Sequence, residues 1–215
     1  MTTETPALTP GRNWPRAEWT LALLAFLSLF LNFVHITTIY EGLPAHPLFL
    51  HVPVVLIPVA TIGALVLSIK PKLFERYGVL LAAITVIALT GLCLTEGAGS
   101  AFEQALGLSS NGLVAQHVHA AHILRLLFIA FTAVVLVTLL AHRRPTGIGP
   151  LDVLLARDWV RTGLRIAVWA LAIASLFYVW RTGDLGAKAV WQARLHHGGG
   201  LFPGGGGFPG PPPGG

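Results

Sequence analysis

Nine histidines stand in a chain of 215 residues that carries little other polar chemistry. His46 and His51 open one apolar run, and His117, His119 and His122 precede or open another. His35 closes an earlier apolar run, and His196 and His197 lie near the C-terminus. Imidazole is the commonest metal ligand among side chains and an axial ligand of b-type haems. His119 and His122 are three residues apart and share a helix face. On the same helix His117 points about 200° away from His119, which sets it apart from any site on that face. Arg125 follows His122 by three residues and stays on its face. An arginine a turn or two inside an apolar run marks a functional site by default. Its candidate partners are Glu96, Glu103 or an anionic group on a ligand.

This inventory suits two cofactors. Haem b between helices takes axial imidazoles from facing spans, and its propionates want an arginine near the surface. His46, His51, His119, His122 and Arg125 form that candidate cofactor-binding set. Zinc or copper would accept His51, His119 and His122 together with Glu96 or, as an alternative, Glu103. Cys93 is the single cysteine, so neither an internal disulfide nor a paired-cysteine zinc site is available. Motifs for c-type haem attachment, phosphate loops, dinucleotide binding, zinc proteases and serine hydrolases are missing. No serine or cysteine is paired with a base at readable spacing, which argues against an enzyme with a covalent nucleophile.

The elements that would position these groups follow from the apolar blocks. Only 11% of residues are charged and 54% are hydrophobic, and mean hydropathy is +0.71. Soluble domains run near a quarter charged, so these residues are too few to cover a water-facing surface. A block of about 20 apolar residues matches the hydrocarbon core of a bilayer. Five blocks are expected to span: Trp19–Tyr40, Leu48–Ile69, Gly78–Leu94, Ile123–Ala141 and Ile166–Trp180. The predicted fold is all-α, an integral membrane bundle of five transmembrane helices. Pro58 predicts a kink in the second span. In the first, Ser28, Asn32, His35 and Thr38 form a polar stripe that should face protein and not lipid. Ser100 and Glu103 have capping-box spacing and predict a short surface helix after the third span, and Asn111-Gly112 predicts a turn. Asp184 is positioned to N-cap a separate interfacial helix through about Leu195, with Trp191, Lys188 and Arg194 at the lipid–water boundary. No internal repeat is visible in the letters. The expected divisions are a cytoplasmic tail (1–16), a first transmembrane helix (17–41), a four-helix domain (43–197) and a disordered Gly/Pro-rich tail (198–215).

Lysine and arginine placement predicts orientation. Ten cations fall on one side: Arg12 and Arg16; Lys70, Lys72 and Arg76; Arg143, Arg144, Arg157, Arg161 and Arg165. Arg181, Lys188 and Arg194 fall on the other. The bias places the N-terminus in the cytoplasm and the C-terminus outside. Eight histidines then lie toward the outer face, with His142 inside. The net charge of +5 is spread over short loops without a basic stripe, which argues against nucleic acid as a partner.

The stretch His46-Pro47-Leu48-Phe49-Leu50-His51-Val52-Pro53 resembles the opening of a bacterial membrane-protein family called domain of unknown function 2231, whose first core helix begins HP-x-x-x-H-x-P. Thr90-Gly91 and the segment Thr182 to Trp191 are similar to two further marks of that family, although Asp184 stands where its T-G-H-L-G ending usually has a histidine. The cluster His117, His119 and His122 matches a histidine-bearing start to its third core helix. The resemblance runs from about Leu43 to His197. It implies a four-helix core in the cytoplasmic membrane and supplies no activity. The leading expectation is a haem- or metal-binding redox component with a histidine-lined site near the outer face. The alternatives are a cofactor-free scaffold subunit, joined to other membrane proteins or to its own copies through small residues such as Gly63 and Gly91, and a small transporter, which the lack of mid-span ionisable residues ranks last.

Overall fold

The computed structural model describes residues 16–39, 44–106, 112–142, 146 and 148–197, with side chains placed from 17 to 104 and from 112 to 191 within those ranges. The expected N-terminal tail, the Gly/Pro-rich tail, Asn111 and the side chains of Arg194, His196 and His197 lie outside the described residues. Six α-helices follow in order: α1 (Arg16–Ser28), continued by a 3-10 turn (Leu29–Phe33), α2 (Ala45–Ile69), α3 (Pro71–Leu106), α4 (Leu113–His142), α5 (Gly149–Leu155) and α6 (Asp158–His197). The chain is an all-α membrane bundle.

Four of these helices, α2, α3, α4 and α6, are long and apolar enough to cross a bilayer. The N-terminal one is shorter than its expected span: the helical run is Ala17–Phe33, and the chain beyond it is extended, with Thr38 bridged to Pro44. The physical reason lies in α3. The carbonyls of Leu31, Asn32 and Val34 press on Gly97, where a Cβ would come within 2.6 Å of the Val34 oxygen. The helix therefore opens where its polar side chains reach protein. Ser28 Oγ lies 2.7 Å from Thr90 Oγ1, and Asn32 reaches α3 and α4 as described below. His35, which should have shared that face, bonds instead to the Phe33 carbonyl and is exposed.

Two expected breaks are absent. Ser100 caps nothing; its hydroxyl donates to the Glu96 carbonyl one turn back, inside the continuous α3. Likewise Asp184 lies in mid-helix, where its carboxylate accepts from Lys188 Nζ at 2.7 Å, and α6 runs on for 40 residues. A residue that suits an N-cap also serves an exposed i, i+4 pair, and only the path of the backbone decides between them. The helical run of α2 continues through Pro53 and Pro58, with Thr61 Oγ1 donating to the Ile57 and Pro58 carbonyls. Gly112, with φ 73°, starts α4 from the left-handed region, as a turn there requires.

The four long helices form two hairpins. α2 packs on α3, and α4 on α6; α3 also packs on α4, and α2 on α6. The 3-10 turn and α1 cover α3 and part of α4. Phe128, Phe131, Ile57, Leu89 and Val135 are fully buried in the shared core. Leu48, Val55, Ile62, Leu80, Leu126, Ile166 and Ile173 point outward, as lipid-facing positions do where the solvent is hydrocarbon.

The two hairpins are built alike. Five of the buried positions in α2, 53, 57, 60, 61 and 64, have counterparts at the same intervals in α4, at 124, 128, 131, 132 and 135. Buried Leu81, Thr85, Ala88, Thr95 and Ala98 of α3 repeat as Val168, Ala172, Ser175, Thr182 and Leu185 of α6. Thr61 and Thr132 occupy equivalent places, and each hydroxyl donates at 2.7 Å to the carbonyl four residues back. Both hairpins start from the same end of the bundle, so they are related by a pseudo-two-fold axis along it. Here the structure corrects the expectation that no internal repeat exists. The repeat is mostly one of buried positions and only in part of residue types: Ala60 answers Phe131 and Thr85 answers Ala172, while Thr61 answers Thr132. A core keeps its pattern while its volumes are exchanged.

Candidate functional site

The repeat sets two histidines in equivalent places, which spacing alone did not. His46 enters at the first turn of α2, and its Nδ1 bonds to the Thr95 carbonyl of α3 at 2.9 Å. His117 enters at the first turns of α4, and its Nδ1 bonds to the Thr182 carbonyl of α6 at 2.9 Å. Each ring lies on a glycine one turn beyond that threonine. A Cβ at Gly99 would meet His46 Nδ1 at 2.9 Å, and a Cβ at Gly186 would meet His117 Nδ1 at 3.1 Å. Both imidazoles are half-buried. Phe102 stacks beside His46 at 6.2 Å between ring centroids.

The chemistry of this arrangement is specific. A backbone carbonyl accepts only, so Nδ1 must carry the proton in each ring. The neutral ring then keeps a lone pair at Nε2. A carbonyl behind Nδ1 also fixes the ring's rotation and strengthens its basicity, the usual second-shell support of an imidazole ligand. The helices supply this geometry by elementary means. A mid-helix carbonyl keeps a second lone pair, and Thr95 and Thr182 lie beside the start of the neighbouring helix, so a ring from its first turns reaches across.

The expected site residues are divided among different roles. His46 belongs to the pair, and His117, set apart in the helix-face argument, is its counterpart on the other hairpin. His119 is exposed. His51 is exposed and bonds to the Pro47 carbonyl of its own helix at 2.8 Å. His122, Arg125 and Glu96 form a second cluster. Glu96 contacts His122 Nε2 at 3.0 Å and Arg125 Nε at 2.9 Å. Neither is aligned as a hydrogen bond, so both act as charge contacts. The Asn32 amide completes the cluster, donating to Glu96 Oε2 at 3.2 Å and accepting from Arg125 Nη1 at 2.8 Å when oriented to suit both. Of the partners considered for Arg125, Glu96 is therefore the one in contact. Among the described residues no group of three or more His, Cys, Asp and Glu is arranged to hold a metal ion. The metal set of His51, His119, His122 and Glu96 is not assembled: only His122 and Glu96 meet.

Two signals in the sequence point to His117 in retrospect. His46 and His51 have the same separation as His117 and His122, and Thr95-x-x-x-Gly99 has the same form as Thr182-x-x-x-Gly186. At the opposite end of the bundle lies a cavity of about 250 Å³ lined by Ser68, Thr138, His142, Arg161 and Arg165, with Glu75. It contains none of the expected site residues.

The family of predicted membrane proteins described as domain of unknown function 2231 matches residues 42–199. The chain belongs to this family. That match takes in both hairpins and both histidine–carbonyl bonds, and it leaves α1 and the 3-10 turn outside. No curated protein and no solved structure matches the chain.

Proposed function

We propose that this member of the family is a membrane-embedded cofactor-binding protein of the redox class, holding a haem or a transition metal through His46 and His117. The observation that carries the reading is the matched pair of imidazoles, each with Nδ1 on a backbone carbonyl and each leaving Nε2 as a ligand atom. A histidine kept only for packing has no need of this arrangement twice at equivalent positions. Glu96 and Arg125 support the pair indirectly, because Glu96 follows Thr95 and braces the strip of α3 on which His46 rests.

The distribution of Lys and Arg supports an orientation with the N-terminus in the cytoplasm of a bacterial cell. The histidine pair then opens toward the outer face of the cytoplasmic membrane. The test is an absorption spectrum with metal analysis on the detergent-purified full chain. A Soret band or a stoichiometric transition metal, lost in His46→Ala and His117→Ala and retained in His142→Ala, is the expected result. A colourless, metal-free protein that takes up neither haem nor metal ions sinks the reading.

A further inference from the structure

We infer that the cavity at the end of the bundle opposite the histidines binds an anionic amphiphile. Arg161 and Arg165 hold its phosphate group, and its first acyl carbons lie against the wall formed by α2 and α3. The site lies apart from the histidine pair and does not depend on it. The ends of both hairpins line it, with residues drawn from 64–71 of α2, 74–75 of α3, 135–142 of α4 and 161–168 of α6. The three longer stretches each cover about 10 Å of helix.

The first argument comes from the equivalence of the hairpins. Ala64 answers Val135, Leu67 answers Thr138, Pro71 answers His142 and Phe74 answers Arg161, and all eight line the cavity. The cavity therefore lies on the seam between the two copies. Toward the end of the bundle the copies differ in chemistry: Leu67, Pro71 and Phe74 on one, Thr138, His142 and Arg161 on the other. Further in, Ala64, Val135 and Val168 are all apolar. One apolar wall, one cationic wall and an apolar floor suit a molecule that has both characters.

The second argument is the supply of donors. Ser68 Oγ donates to the Leu65 carbonyl at 2.7 Å and accepts from Trp169 Nε1 at 2.9 Å. Thr138 Oγ1 donates to the Val134 carbonyl at 2.7 Å. His142 has its Nδ1 on the Thr138 carbonyl at 2.9 Å, and its ring stacks on Phe74. The guanidiniums are not committed in this way. Among the described residues neither Arg161 nor Arg165 has an ion-pair partner. They are four residues apart on one helix face, where like charges work against the helix unless something answers them. Glu75 also lines the cavity and answers neither, so two cations meet one carboxylate there. Two planar forks of N–H donors match the oxygens of a phosphate.

The third argument is place and size. The same end carries Lys70, Lys72 and Arg157. On the orientation argued above it is the cytoplasmic leaflet, where basic pockets between membrane helices take lipid phosphates. The volume of about 250 Å³ lies just below the roughly 300–1,000 Å³ of pockets for drug-sized ligands. It holds a headgroup phosphate and the first carbons, and the rest of the chain stays in the bilayer. Free phosphate would leave the apolar wall and floor unused.

Native mass spectrometry of the full chain in a neutral detergent, with added dioctanoyl phosphatidic acid, tests this. The expected result is one saturable lipid per chain, with dioctanoyl phosphatidylcholine and inorganic phosphate bound much more weakly. Arg161→Gln and Arg165→Gln should each weaken binding roughly 5-fold, the worth of one basic residue at an anionic surface. Glu75→Gln should strengthen it, and Lys72→Gln, at the same end but outside the lining, should leave it unchanged. If a glutamine variant does not fold, Arg165→Lys keeps the charge and removes the fork, and weaker binding by it supports the site. Inorganic phosphate bound as tightly as the lipid overturns the amphiphile and leaves a free-anion site. Equal binding of phosphatidylcholine, or a loss in Lys72→Gln as large as in Arg165→Gln, overturns the assignment to the two arginines.

Discussion

The hairpins α2–α3 and α4–α6 share a frame and differ in what is mounted on it. In both, an entering histidine reaches a threonine carbonyl across a glycine, and a threonine one hairpin arm below bonds back into its own helix. Among the described residues the charge cluster of Glu96, Arg125 and His122 lies at the interface of α3 and α4, where the N-terminal segment also packs on the bundle. The equivalent of Arg125 in α2 is Val54, which is exposed, and the equivalent of Glu96 in α6 is Gly183. What is duplicated is therefore the histidine support, and what is unique is the attachment of α1. Features kept in both copies belong to what the pair does together. Features on one copy belong to how this chain closes one side of the bundle.

That division can be broken experimentally. The largest effect is expected at the histidines: His46→Ala and His117→Ala should abolish cofactor binding to the same extent, read as the Soret or metal signal per mole of protein. An unequal result, with one variant near wild type, would mean that the hairpins are alike in frame only. Next comes Glu96→Ala, which leaves Arg125 without its carboxylate in a nonpolar setting. Breaking such a pair costs about 3 kcal/mol, measurable as a lowered unfolding midpoint in detergent. Adding Arg125→Val, which copies Val54 of the other hairpin, should recover most of that loss in a double-mutant cycle. If the double variant is as unstable as the single one, the cluster holds more than its own charges.

A smaller effect is expected where ring and backbone touch. Gly99→Ala and Gly186→Ala should each cost roughly 1–3 kcal/mol, because a methyl group overpacks the imidazole against its carbonyl. Thermal unfolding of both should show similar losses, and a silent Gly186→Ala would place the His117 ring elsewhere. Smallest of all, Thr61→Val and Thr132→Val remove hydroxyls that bond only to their own helix, and such bonds contribute about 1 kcal/mol or less. Near-equal small shifts in midpoint would sharpen the equivalence of α2 and α4.

Much of the bundle was legible from composition. The apolar blocks from Leu48, Gly78, Ile123 and Ile166 each fall inside one of the four membrane-length helices. Helix ends were less legible. Ser100 and Asp184 are residue types that cap helices or ride on them, and hydropathy falls at a membrane surface whether or not a helix stops there. By length alone, Trp19 to Tyr40 makes a full span. The contact of Asn32 with Glu96 and Arg125, which draws the chain out of helical geometry, involves residues far apart in the sequence.

The candidate site divides along the same line. A cluster of histidines at helix starts, an arginine one turn in and a carboxylate to answer it were all present in the order of residues. Which histidines meet was not. Angles around a single helix separate His117 from His119 correctly, yet they say nothing of a carbonyl on another helix. The sequence by itself determined an all-α membrane protein with histidines gathered at helix starts, because hydrophobic length and residue type are local properties. Tertiary structure alone decided that His46 and His117 are counterparts, since the two hairpins match through buried positions whose intervals repeat while most of their residues differ.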